Sequence, residues 1–177
     1  MLKIVTKVNG KQLKIKFYGP QKMRDLVDSD VMFVDYTRSI DSVPENILNI
    51  VGVTSVLPLA MANGWDISVS CLNRNFIESI QDTMLGYRNM WPKLSMINIL
   101  VSEEVESQTR PFKDEAALYS GGIDAWATFA EHNETLNHLY TVHGADVHTD
   151  DFKNWKMIEN SMRKMALQNN VSLDVIR

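Results

Sequence analysis

Residues 115–135 join a short apolar strand to a helix through the turn Ser120-Gly121-Gly122, with no spacer on either side. Glycine has no Cβ, so two glycines in succession let backbone N–H groups turn inward and approach an anion closely. The helix that follows adds unpaired N–H donors and the positive end of its dipole. We therefore predict a phosphate-binding loop, with the Ser120 hydroxyl as a further donor.

Asp124 lies in the first turn of the predicted helix. Its carboxylate is placed to hold Mg²⁺ or to orient the loop through backbone amides. The alternative is a simple tight turn, because an acidic residue is favourable at a helix start in any case. The strand before the turn and the helix after it favour the phosphate-binding interpretation. No Gly-Lys-Ser/Thr follows, so the Walker A pattern is not present.

The sequence around this turn alternates short apolar strands with amphipathic helices, which is typical of a parallel α/β sheet with flanking helices. The polar, acidic segment 102–113 precedes this alternation and predicts a boundary, giving an N-terminal region 1–110 and a second domain 111–177. The second domain has five predicted elements: strands 116–119, 137–142 and 172–176, and helices 123–132 and 151–169.

The region 1–110 is predicted to be α+β and to open with a β-hairpin. Its first 18 residues alternate apolar and polar positions on both sides of Asn9-Gly10, a dipeptide that suits a two-residue turn. Gly52 and Pro58 interrupt the helix predicted from near Ser42 to Asn63, which favours two short helices or a kinked one. The other predicted elements are strands 31–36, 65–70 and 95–101, and a helix from 73 to 91.

The stretch Ser120-Gly121-Gly122-Ile123-Asp124 resembles the Ser-Gly-Gly-x-Asp-Ser signature of the PP-loop ATP pyrophosphatases. The likeness covers residues 115–177 and is greatest to 7-cyano-7-deazaguanine synthase-like proteins. The region before it resembles the N-terminal extensions of some synthase-like members, including ones associated with antiphage defence. The resemblance implies an adenine nucleotide alpha hydrolase-like fold that binds ATP and Mg²⁺, adenylates a substrate oxygen and releases pyrophosphate.

Carried onto this chain, the resemblance implies that Ser120, Gly121 and Gly122 hold pyrophosphate. Ile123 and Ala125 complete the nucleotide-binding loop, and Asp124 is the catalytic residue that positions the metal. Position 125 is Ala where the signature has Ser, so one hydroxyl donor is missing. The chain stops after the third strand of the alternation, whereas the family domain continues with further strands and, in the synthases, a four-cysteine zinc cluster. We therefore predict an incomplete domain.

A second polar cluster follows the strand predicted at 137–142, at the sheet edge where ligands of open α/β sheets bind. It contains His143, Asp146 and His148, which we predict as nucleotide or metal contacts facing the Ser120 loop. The alternative is a polar loop in which Asp150 or Asp151 caps the next helix.

Composition narrows the choice of compartment and partner. The formal net charge is -4, and Lys and Arg are scattered apart from a mildly basic opening hairpin, which predicts no nucleic-acid footprint. The apolar stretch 47–62 is interrupted by polar residues and is too short for a membrane span. The single cysteine, Cys71, agrees with a reducing compartment, and no secretory signal pattern opens the sequence, so we expect a cytoplasmic protein.

Two functional hypotheses follow. The first is an ATP-dependent ligase or synthase of the PP-loop type, forming AMP and pyrophosphate with a substrate that the sequence does not identify. The second is a non-catalytic interaction or assembly module that retains a degenerate PP-loop. An unfinished sheet leaves an open edge, which a partner protein or a second copy of the chain would cover.

Overall fold

The computed structural model describes residues 1–106 and 115–177. The chain divides into two compact units. Met1–Phe33 and Ile40–Thr109 form the first, and Val34–Ser39 joins Arg110–Arg177 in the second. The grouping of Val34–Ser39 with the second unit was not expected from the sequence. Both units are α/β.

The first unit contains a five-stranded mixed sheet in the order β3-β2-β1-β4-β5. Strands β1 and β2 are antiparallel, whereas β1 with β4 and β4 with β5 are parallel. Its elements are β1 Leu2–Asn9, β2 Gln12–Tyr18, β3 Val31–Asp35, α1 Glu45–Asn63, β4 Ile67–Asn73, α2 Arg74–Met90 and β5 Ile99–Val105.

The predicted opening hairpin is confirmed, but its turn lies one residue later than expected. Asn9 pairs with Gln12 as the last pair of the ladder, so Gly10 and Lys11 form the two-residue turn. Gly10 has a φ of 62°, the left-handed conformation that glycine adopts without strain. The dipeptide Asn9-Gly10 therefore predicted that a turn occurs here, but not which two residues form it.

Helix α1 is one continuous helix, so the expected division into two short helices is wrong. It begins after Pro44 rather than near Ser42, and it accommodates Pro58 internally. Gly64 ends it in the left-handed conformation, with its N–H bonded to the carbonyl groups of Ala60 and Met61.

The same helix is, in the described part of the chain, the one helix long and apolar enough to cross a membrane. Half of that stretch is buried inside the fold, and α1 packs on β1 and β4. We therefore interpret it as the core helix of the first α/β unit.

The strand predicted at 95–101 is displaced to Ile99–Val105. Residues before it are held by other bonds: the N–H of Asn98 donates to Asp66 Oδ1 at 2.8 Å, and that of Ser95 donates to the carbonyl of Met61 at 2.9 Å. The predicted turn-like segment 102–113 therefore begins as strand, and its residues 107–113 lie outside the described part of the chain.

Gly52 sets how closely α1 approaches the sheet. A Cβ at this position would lie 2.7 Å from Ile4 Cγ2 on β1 and 3.3 Å from Ile15 Cγ2 on β2. Both isoleucines are buried core residues. The absence of a side chain at Gly52 thus allows closer packing of helix and sheet than any other residue would.

We predict that Gly52→Ala destabilises the protein by about 1 to 3 kcal/mol, because overpacking outweighs the better helix propensity of alanine. Gly86→Ala in α2 is the matched control, since a Cβ there meets no atom within 4 Å. That variant should be more stable by about 0.5 to 1 kcal/mol. Urea unfolding measures both changes, and a stabilising Gly52→Ala would contradict the packing described.

The second unit is a three-stranded parallel sheet in the order β6-β7-β8, and its predicted strand and helix alternation is confirmed. Its elements are β6 Glu115–Leu118, α3 Ile123–His132, β7 Leu136–Val142, α4 Phe152–Gln168 and β8 Ser172–Ile176. The core side chains are Tyr119, Phe129, Leu136, Leu139, Trp155, Met162 and Met165.

Residues 34–39 are attached to the second unit next to β8. The N–H of Asp35 donates to the carbonyl of Arg177 at 2.6 Å, and the N–H of Arg177 donates to the carbonyl of Asp35 at 2.9 Å. The hydroxyl of Thr37 donates to Asp174 Oδ1 at 2.7 Å. This short segment is therefore hydrogen-bonded to β8 and to the residue that follows it.

Asp174 is the anchor of this attachment. Its Oδ2 lies 3.0 Å from His138 Nε2 and 3.4 Å from a terminal nitrogen of Arg38. Burial alone would raise the pKa of Asp174, but hydrogen bonds from Thr37 and His138 and the charge of Arg38 outweigh it. These interactions hold the pKa of Asp174 below its ordinary value.

A carboxylate with a lowered pKa stabilises the fold above its unfolded pKa of about 3.9, and this stabilisation is lost as pH falls through the folded pKa. We predict that Asp174→Asn lowers the melting temperature at pH 7, and that its difference from wild type shrinks progressively below about pH 4. Thermal melts across this range measure the effect, with exposed Glu134→Gln as the control. A difference independent of pH would contradict this role of Asp174.

Candidate functional site

An open cleft of about 200 Å³ lies in the second unit where β6 and β7 end. The turn after β6 forms one side of it, the loop after β7 a second, and α4 a third. Its lining residues are Leu118, Tyr119, Ser120, Tyr140, Thr141, Val142, Ala145, Asp146, Val147, Trp155, Ile158 and Met162. The carboxyl ends of parallel strands are the edge at which open α/β sheets bind ligands.

The turn after β6 is exposed and contains backbone donors without acceptors among the described residues. Gly122 is the N-cap of α3 and no side chain caps the helix. In the described part of the chain, the N–H groups of Gly121, Ile123 and Asp124 have no hydrogen-bond acceptor. The N–H of Gly122 makes only a long bond of 3.3 Å to Ser120 Oγ. These exposed donors, with the dipole of α3, form the kind of site that binds anions.

The two glycines have different structural roles. Gly121 has a φ of 79°, which allows β6 to turn into α3. Gly122 has a φ of -75°, which any residue can adopt, and a Cβ there would meet only Ser120 Oγ, at 3.4 Å. The fold therefore requires glycine at 121 but not at 122, where lack of a side chain leaves the loop open to a ligand.

The side chains of Asp124 and Ala125 differ in exposure. Asp124 is exposed in the first turn of α3 and forms no ion pair with any described residue. Ala125, at the position of the signature serine, is partly buried and packs against the core. Within residues 1–106 and 115–177, no group of three His, Cys, Asp or Glu side chains is placed to hold a metal ion. Asp124 would therefore hold Mg²⁺ only together with ligands from a bound phosphate.

Of the second predicted cluster, Asp146 reaches the site and His143 does not. Asp146 lines the same cleft as Ser120. His143 is only 5% exposed and stacks on Trp155, with ring centroids 4.3 Å apart. Its Nε2 has no hydrogen-bond partner in the described residues. His143 therefore packs against Trp155 and is not among the lining residues of the cleft, and its predicted nucleotide contact stays a prediction.

In the loop after β7, the alternative prediction that an aspartate caps the next helix is correct for Asp151. Its side chain caps α4 by accepting the N–H of Asn154 at 3.2 Å. His148 is exposed, with Nδ1 3.6 Å from Asp150 Oδ2, and it does not line the cleft. The predicted trio therefore contributes one cleft residue, Asp146.

Sequence reasoning missed the aromatic side of the cleft. Trp155 of α4 is both a core residue and part of the lining. Tyr119 and Tyr140 also contribute, and burial raises the pKa of Tyr119 above its ordinary value. The position of Tyr119 directly before Ser120 was the available signal, since a residue at the end of a strand borders the site at that edge.

No family model, curated protein or solved structure matches this chain. The candidate function therefore depends on the geometry of the cleft and its loop.

We predict that Gly121→Ala destabilises the second unit by about 1 to 2 kcal/mol, because a side chain is strained at positive φ. Gly122→Ala should destabilise it less, by about 0.5 kcal/mol, because its φ suits any residue and only the preference for glycine over alanine at an N-cap is lost. Urea denaturation of the pair tests the loop conformation directly. Equal losses from both variants would show that the turn differs from the one described.

Proposed function

We propose that the second unit binds ATP with Mg²⁺ through residues 120–125 and adenylates a substrate oxygen, as a PP-loop ATP pyrophosphatase with an adenine nucleotide alpha hydrolase-like fold. The observation that carries the proposal is the set of N–H groups at Gly121, Ile123 and Asp124 that have no acceptor among residues 1–106 and 115–177, next to Ser120 at the edge of a cleft. Phosphate oxygens are the acceptors that such donors fit.

In the proposed reaction ATP supplies the adenylyl group: a substrate oxygen bonds to the α-phosphorus, the α–β phosphoanhydride bond breaks, and pyrophosphate leaves. The N–H groups of the loop stabilise the charge that develops on the leaving pyrophosphate. Asp124 is the proposed catalytic residue: its carboxylate would hold Mg²⁺, which would neutralise charge on the phosphates. No protein nucleophile is needed, because the loop and cleft only align the reacting groups.

The size of the cleft supports binding of one part of the nucleotide. Its volume of about 200 Å³ is below the range of about 300 to 1,000 Å³ usual for small-molecule pockets. In this proposal a base or ribose occupies the cleft, which Tyr140 and Trp155 help to line, and the phosphates extend to the exposed loop. Asp146 also lines the cleft and forms no ion pair with any described residue, so its carboxylate can accept a hydrogen bond from a sugar hydroxyl.

We also propose a protein family, a biological role and a cellular compartment. The loop residues favour a relative of the 7-cyano-7-deazaguanine synthase-like proteins, acting in 7-deazaguanine nitrile synthesis or modification or in antiphage defence. The lone cysteine, Cys71, favours the cytoplasm.

The test is calorimetric titration of the protein with ATP and with pyrophosphate, each with Mg²⁺, before and after Gly122→Val. Valine tolerates the extended conformation of residue 122, so the fold should persist. The valine side chain should cover the loop amides. We predict that binding falls at least about tenfold, a loss of about 1.4 kcal/mol. Gly86→Ala in the first unit should bind both ligands as wild type does.

Failure of the folded wild-type protein to bind either ligand would overturn the proposal. Equal binding by wild type and Gly122→Val would also overturn it, because the ligand would then lie away from the loop amides. Release of AMP and pyrophosphate by the wild-type protein separates turnover from binding alone.

The second candidate is a non-catalytic interaction or assembly module, and one observation favours it. Strand β6 is an edge strand of its sheet, and the apolar side chains of Leu118 and Ile123 beside it are 73% and 85% exposed. A partner protein or a second copy that covered this edge would remove both from water. Light scattering that finds only monomers at all concentrations would count against a second copy.

A further inference from the structure

The β1–β2 hairpin of the first unit has one buried face and one basic face. Leu13 and Ile15 of β2 are buried in the core, whereas the lysines that alternate with them point the other way. Lys7 of β1 lies directly opposite Lys14 of β2 in the ladder. The lysines that share this basic face are Lys3, Lys7, Lys14 and Lys16.

Their positive charge is not neutralised within the described residues. None of the four lysines takes part in an ion pair there, and no Asp or Glu occurs before Asp25 in the sequence. Like charges directly opposite in an antiparallel pair are destabilising, so the Lys7–Lys14 pair is retained at a cost in stability. The protein as a whole has a net charge of -4, which makes this concentration of cations a local feature.

Two aromatic rings lie among the lysines. Tyr18 and Phe33 are 51% and 49% exposed. Lys16 Nζ lies 5.0 Å from the centroid of the Tyr18 ring, and Lys14 Nζ lies 5.5 Å from that of Phe33. Each ring is therefore about half exposed, and the ammonium at the end of a flexible lysine side chain lies near one of its faces. A hollow of about 240 Å³ is lined by Val5, Lys7, Lys14, Lys16 and Tyr18.

We propose that this basic face binds single-stranded nucleic acid. The lysines would pair with phosphates, and unpaired bases would stack on Tyr18 and Phe33, as on other sheet surfaces that combine cations with exposed rings. A duplex keeps the faces of its bases stacked inside, so it would use the lysines and leave both rings without a partner. An anionic membrane would likewise use only the charge. The pairing of each ring with its own lysine therefore favours an unpaired strand.

The two cation–π contacts predict how the surface would change when nucleic acid binds. A base that stacks on Tyr18 displaces the ammonium of Lys16 from the ring, and a base on Phe33 displaces that of Lys14. Each displaced ammonium then lies beside the phosphate that accompanies the base. Stacking and charge pairing are thereby coupled, so removing a ring should weaken binding even though the lysines remain.

The test is fluorescence anisotropy of the full chain with labelled oligothymidylate and oligouridylate over a range of salt concentrations. For wild type we expect binding with a negative salt dependence of about -0.7 in log K per log salt for each phosphate contact. The double variant Lys7→Gln with Lys14→Gln should bind more weakly and with a shallower slope. It also removes a like-charge pair, so lost binding would not follow from unfolding.

Tyr18→Leu and Phe33→Leu should each weaken binding by about tenfold, the cost of losing one stacked base. Lys93→Gln removes the same charge elsewhere in the first unit and is the matched control, expected to bind as wild type. A duplex of equal length should bind more weakly than the single strands. Thermal melting of every variant shows that the fold is retained.

Three results would overturn the proposal. The first is no binding of either oligonucleotide by the wild type at low salt. The second is unchanged binding after Tyr18→Leu and Phe33→Leu, which would leave only unspecific attraction between charges. The third is binding to phosphatidylserine vesicles without binding to oligonucleotides, which would assign the basic face to a membrane. None of these outcomes depends on whether the second unit binds ATP.

Discussion

The second unit depends on the reversal of the chain between β6 and α3. Gly121 makes this reversal possible with its positive φ, and Gly122 begins the helix without a capping side chain. As a result the first N–H groups of α3 remain without acceptors in the described residues, at the sheet edge where the cleft also opens. Unpaired donors at the end of a helix attract anions, so one backbone feature sets both the fold of this unit and its proposed function.

The fold was predictable where short apolar strands alternate with helices, and less so elsewhere. The three strands and two helices after position 115 follow the predicted order, because each has strong periodicity and a polar turn beside it. Errors arose where tertiary contacts override local preference. Helix α1 remains continuous across Pro58 because its buried face is held against β1 and β4. The fifth strand begins late because Asp66 binds Asn98.

The candidate site was predictable in part. Ser120 and Asp146 each follow a predicted strand, which predicted that both lie at the same edge of the sheet. In the structure they line a common cleft. The burial of His143 could not be predicted from the sequence. His143 follows the last residue of β7, and whether such a residue still alternates between the two faces of the sheet depends on the helix that packs on one face. The basic character of the hairpin was visible in the sequence, but the direct opposition of Lys7 and Lys14 was not, since it depends on a turn one residue later than the sequence indicated.

We propose that the loop amides after β6 bind phosphate. Amide chemical shifts measure this binding most directly. In a ¹⁵N-labelled sample titrated with pyrophosphate and Mg²⁺, the amide signals of Gly121, Ile123 and Asp124 should move most and saturate together. The amide of Gly86, in the other unit, should remain unchanged. Saturable shifts elsewhere with stationary loop amides, or no saturable shifts at all, would contradict this account of the site.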